Sequence, residues 1–349
     1  METMQLLPVK TNAILPVSRN NNLGYTPNII DITPLVERPL EKGKAKHFIE
    51  SNTQEVDIFH LKNECVVPVF SKDNELTISH PNFIETVWEA SNKFFPNERF
   101  LEPDIRVSHV IKGRIPEAIH KPVNQLLDRD KTIYYERMAF CFEIPSIHED
   151  IEGNRLNLTI GGVRAYNHEN LYSKKGVEKF KVFIGFKNLV CCNLCVSTDG
   201  YKEEIKVMSI QELFKAVITL FQQYNVARHL HLMSSFKDSY LTEHQFAQLI
   251  GKSKLYNCLP NPIKKSLPSF DFGDNHINAV AKAYYNDENF KIEEGANAIN
   301  LWRVYNLFTT ANKNSYVDNL LDRSLNATDL TAGISKALHG DNEYKWFIE

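Results

Sequence analysis

Residues 155–200 read RLNLTIGGVRAYNHENLYSKKGVEKFKVFIGFKNLVCCNLCVSTDG, and their reading decides the fold. Two strand-like runs, RLNLTIGGVRAYN and EKFKVFIGFKNLVCCNLCV, flank a polar connection. From Lys181 to Val196 the second run is dense in β-branched, aromatic and cysteine residues, the composition of a central, mostly buried strand. An Asp199-Gly200 turn then leads into a last strand, EEIKVMS.

Upstream, DIRVSHVIKGR and TIYYERMAFCFEIP read as strands, the latter ended by Pro145. CVVPVF is a short strand whose Pro68 argues for an edge or a bulge, and NELTIS is expected to pair beside it. A helix begins after Ser79 or His80 with Pro81 in its first turn. It carries Phe83, Ile84, Val87, Trp88, Ser91, Phe94 and Phe95 on one face and stops at Pro96. Pro116 is expected to open a second helix through Leu127. From Ser209 the pattern turns helical, with Ser209/Glu212 and Thr242/Gln245 as capping boxes and Asp274 as a further cap. The resulting fold class is α+β: a mainly antiparallel sheet with packed helices, followed by a helical C-terminal half. The expected divisions are an extended N-terminal arm (1–45), broken by five prolines, an α+β sheet domain (46–208) and a helical region (209–349).

Composition narrows the function classes. Of 349 residues 43% are apolar and 24% charged, as in an ordinary globular protein with a real core. The net charge of -3 lacks the basic excess of an unselective nucleic-acid coat, so any polyanion contact must be a local patch. No apolar run is long enough for a bilayer and no signal peptide opens the chain; six cysteines, several in apolar runs, suit reduced core thiols. A cytoplasmic protein without a membrane partner is expected.

Few residues advertise chemistry. Cys192 and Cys195 form one CxxC with no second pair, so no metal is expected there, and no motif requires a cofactor. His229 and His231 are placed at the end of the Ser209 helix, where the helix dipole favours histidine. Gly161-Gly162 runs on into VRAY as strand, unlike a phosphate-binding loop, and no catalytic residue is assigned.

Two constellations remain. Arg106, Lys112 and Arg114 share one parity on a strand, with His109 adding partial charge. Arg137, Arg164, Tyr135 and Tyr166 lie on neighbouring strands, so together these eight residues are expected to grip and stack single-stranded nucleic acid. The ordinary alternative is a solvated face whose cations pair with carboxylates. In LWRVYNLFTTANKNSY the aromatics recur at helical spacing as core, leaving Asn306 and Lys313 as ligand-facing candidates. LTEHQFAQLIGKSKLY imitates a helix-turn-helix around Gly251, but Pro260 comes too soon for a recognition helix; a capped surface helix ending at Gly251 explains the same residues.

FIESNT, VVPVFSKDNELTISH, IRVSHVIKGRIPEAI, YYERMAF, LTIGGVRAYNHENLYSKK, FKVFIGF and LWRVYNLFTTANKNSYVDNLLDR resemble an uncharacterised family carried on bacterial conjugative elements and prophages, over residues 48–347. More distantly, VCCNLC and the W-x-x-Y-N-x-x-T pattern are similar to signatures of the phage/plasmid-like protein family, whose Cys-Gln-Asn-Thr motif is here Cys192-Asn193-Leu194. The resemblance implies mobile-element context and carries over no catalytic residue. With the basic cluster, it leads to the expectation of a non-enzymatic accessory protein on single-stranded or recombining DNA. The alternative is a protein-interaction module that binds a host protein, one of host defence among the candidates.

Overall fold

The sheet is built by strands that follow one another along the chain. The computed structural model describes residues 46–65, 77–118, 120–168 and 177–349. After β1 (Gln54–Glu55) come β2 (Asp104–Arg114), β3 (Lys131–Ile151), β4 (Asn154–Ala165) and β5 (Glu178–Asn188), each antiparallel to its neighbour. β6 (Leu194–Cys195) and β7 (Tyr201–Val207) share the far side of β5. The first helices are α1 (Ile58–Asn63) and α2 (His80–Phe94). Ser79 caps α2 by accepting from the Asn82 N–H, and Pro81 sits in its first turn. Beyond the sheet follow α3 (Ile210–Gln223), α4 (Val226–Ser235), β8 (Tyr240–Thr242), α5 (Glu243–Cys258), α6 (Asn261–Lys264), α7 (Asp274–Asn286), β9 (Ala298–Asn300), α8 (Leu301–Asn312) and α9 (Leu320–Leu338). The α+β class with a helical C-terminal half holds.

Both sheet faces are covered. On the first, Met138, Phe140, Ile160 and Val182 pack under α2 and α3; the Phe83 ring of α2 meets Phe140 edge-on at 5.2 Å. On the second, Ala139, Cys141, Val163 and Phe183 lie under Phe48, Ile49, Val317, Leu320 and Leu321. The glycine pair in β4 answers to this double covering. A Cβ on Gly162 would stand 2.5 Å from the Phe83 ring, and one on Gly161 2.8 Å from the Phe183 ring. The first core continues through Leu230, Trp302, Tyr305, Leu330 and Phe347, so buried apolar contact crosses the 208/209 junction.

Several elements depart from their sequence reading. The helix expected from Pro116 through Leu127 is instead 3-10 turns at Pro116–Ala118 and Val123–Gln125, because Pro122 biases the residue before it away from helix. β3 runs past Pro145 to Ile151, with the proline taken up in a register shift between Ile144 and His148. The single strand expected to Val196 breaks after Asn188, where Cys192 takes a left-handed φ of 60°. In YVDNLLDR a 3-10 turn at Val317–Asn319 precedes LLDR, which joins DLTAGISKAL in one helix, α9, and the N-cap of α7 is Gly273 rather than Asp274. The N-terminal arm, CVVPVF beyond Cys65 and the first half of NELTIS lie outside the described residues, and Thr77, Ile78 and Ser79, the rest of NELTIS, form no strand.

Candidate nucleic-acid interface

Register between strands decides where the expected cations go. Arg106 pairs with Ala139 and Ser108 with Arg137, but Arg164 pairs with Met138. Arg106 and Arg137 therefore belong to the second face and Arg164 to the first. Arg106 is buried, donates to Thr53 Oγ1 and the Thr53 carbonyl at 3.2 Å, and lies 3.8 Å from Glu55. Arg137 sits 3.0 Å from Asp318 at the start of the α9 region. Arg164 is 1% exposed, ion-paired to Glu178 and held between the Tyr166 and Phe180 rings at 4.5 and 4.4 Å. Tyr166 is buried against His80 at 4.5 Å, and the buried Tyr135 hydroxyl accepts from Gln54. Lys112 and His109 are exposed, and Arg114 donates to the Lys121 carbonyl. The single water-facing cationic track is thus not formed: its members split between faces, and three of them meet carboxylates.

Asn306 and Lys313 face protein. Asn306 is fully buried in α8 and accepts from Asn188; its carbonyl, Thr309 and Thr310 all receive the Asn193 side chain at 2.9–3.2 Å. Lys313 Nζ donates to the Cys191 carbonyl at 2.9 Å and to Glu50 at 2.6 Å. The CCNLC turn and the W-x-x-Y-N-x-x-T helix are two halves of one buried joint. Burial holds the Cys195 thiol up at about 12, so it rests protonated within that joint. Among the described residues no three His, Cys, Asp or Glu side chains are placed to hold a metal ion. His229, expected at a helix end, is buried inside α4 and bonds the Tyr224 hydroxyl at 2.8 Å. A cleft of about 400 Å³ on the second face is lined by Lys179, Lys181, Glu203, Glu204 and Asp318, with Lys179 against Glu204 and Lys181 against Asp322.

The sequence reading passed over another basic surface. From His244 to Phe270 the chain holds Lys252, Lys254, Lys264 and Lys265 and no carboxylate. α5 runs unbroken through Gly251 to Cys258, so neither the helix-turn-helix nor a helix end at Gly251 is formed. Pro262 then starts α6. Lys252 Nζ stands 4.9 Å over Trp346 and Lys264 Nζ 5.5 Å over Tyr256, while those two rings are 6.4 Å apart, so the helices present one continuous surface. Lys254 and Lys265 are exposed, as are Leu255 (57%) and Ile263 (47%). Among the described residues none of the four lysines is in an ion pair. The absence of Asp and Glu over this run was the signal available in the sequence.

No curated protein and no solved structure matches the chain. The family model described as "Domain of unknown function, B. Theta Gene description (DUF3871)" matches residues 29–348, and the chain belongs to that family.

Proposed function

We propose that the protein associates with single-stranded nucleic acid through the lysine surface of α5 and α6. One observation carries this reading: four lysines within a carboxylate-free stretch, none ion-paired among the described residues, beside exposed apolar side chains. Cations without local counter-charges take phosphates as counterions, and apolar neighbours tolerate bases of any sequence. Lysines at a helix C-terminus also suit the helix dipole, which accounts for Lys264 in the last turn of α6 and Lys265 at its C-cap but not for Lys252 and Lys254 in α5. Carriage on conjugative elements and prophages, which the resemblance implies, would bring such a protein to unpaired DNA.

Fluorescence anisotropy with a labelled single-stranded oligonucleotide at low salt tests this reading. Lys254→Ala with Lys265→Ala is expected to weaken binding about tenfold and make the slope of log K against log salt shallower by roughly one to two. An unchanged affinity rejects the surface, and no binding by the parent chain rejects the function. A protein partner is the second reading, favoured by Val123 (76% exposed) and Leu127 (51%) on the β2–β3 connection. A single stoichiometric partner lost on Val123→Asp would support it.

A further inference from the structure

Where the chain leaves α1, a thiol, an imidazole and a carboxylate stand in line. Cys65 Sγ is 3.6 Å from His60 Nε2, and His60 Nδ1 is 2.9 Å from Glu64 Oε2. Helical spacing puts Glu64 one turn beyond His60, and a parallel bridge from Cys65 to Ile133 pins the next residue to the sheet. The Tyr135 hydroxyl, 2.9 Å from the same Nε2, accepts from Gln54 at 2.7 Å. Glu64 on Nδ1 fixes the tautomer with its proton there, leaving the Nε2 lone pair toward the thiol. A carboxylate on the far nitrogen cannot share a metal with the sulfur, whereas it does orient a general base.

We propose that Cys65, His60 and Glu64 form a nucleophilic thiol site for small activated acyl groups, esters or thioesters. The site lies at the surface: Glu64 is exposed and His60 and Cys65 are half-buried. It therefore suits a substrate whose leaving group departs readily and needs little enclosure. Burial and the neighbouring Glu64 push the Cys65 thiol up to about 11, so the resting sulfur keeps its proton and attack requires His60 to remove it. Sulfur adds to the carbonyl carbon as its proton passes to His60 Nε2. The tetrahedral adduct collapses, the bond to the leaving group breaks with its electron pair, and His60 returns the proton to that group. Water, deprotonated by His60, then attacks the acyl-thioester and expels Cys65 as the thiol.

The exposed Cys258 supplies an internal reference in the same molecule. The full chain is treated with p-nitrophenyl acetate at pH 7.5, and peptide mass spectrometry follows the acetyl mass on each cysteine. Cys65 is expected to acylate at least tenfold faster than Cys258. His60→Ala is expected to abolish that advantage, and Tyr135→Phe, which frees Nε2 of its competing donor, to increase it. Equal rates at Cys65 and Cys258 in the parent chain, which needs no variant to fold, overturn the proposal. So does a rate at Cys65 unchanged by His60→Ala in a variant that keeps the parent's circular dichroism.

Discussion

Arg164 is a cation whose neighbours leave it no solvent. Its guanidinium lies between two aromatic rings and against Glu178, which also accepts the Ile78 N–H. Removing one member of a buried pair strands the other, so Arg164→Ala is expected to destabilise the protein by about 3 kcal/mol, read as a drop in urea midpoint. A midpoint within error of the parent would mean that the pair contributes nothing. Any loss of DNA binding in that variant would follow from unfolding, which makes Lys254 and Lys265 the better probes. The sequence showed that Arg164 sits on a strand. It did not show which side, because strand alternation fixes parity only within a strand, and the register set by the connections fixes it between strands. Arg106 and Arg137 kept their common side; Arg164 fell opposite Met138 and was lost to it.

Elements with their own punctuation were legible, and those held by distant partners were not. α2 begins at the serine cap and β2 spans DIRVSHVIKGR, since capping and alternation are local. The end of β5 is set by Asn193 and Asn306, 113 residues apart, which no local pattern announces. α5 shows the converse error, a local glycine read as a break. Gly251 has no positive φ, and a Cβ there meets nothing within 4 Å. Gly251→Ala is therefore expected to stabilise the protein by roughly 0.5–1 kcal/mol through helix propensity alone. Denaturant titration checks it. A destabilised variant would point to a left-handed turn glycine and return the segment to a helix-turn-helix.

At the scale of the whole molecule, the continuous core takes in imidazoles that must stay neutral, and this couples folding to pH. His80, under Tyr166 and bonded to the Tyr135 carbonyl, is lowered to about 3 by burial and then by the Arg164 charge. His229 is lowered to about 4 by burial, with Asp199 acting in the opposite direction, and His276 is lowered by burial and by Arg323. Below pH 6.5 the unfolded chain binds protons on these rings that the folded chain refuses. Stability is therefore complete above 6.5 and falls as the pH drops toward 4. With about 1.4 kcal/mol per unit of displacement, His80 and His229 each withdraw on the order of 3 kcal/mol by pH 4. The raised carboxyl groups of Asp271 and Asp329 work the other way, and the lowered ones of Asp128, Asp130 and Glu204 act mainly below the window. Urea midpoints between pH 7.5 and 4.5 should fall steeply for the parent chain and less steeply for His229→Gln, whatever that variant's stability at pH 7.5. Parallel curves would show that His229 takes its proton within the fold, contradicting its burial between Tyr224 and Phe186.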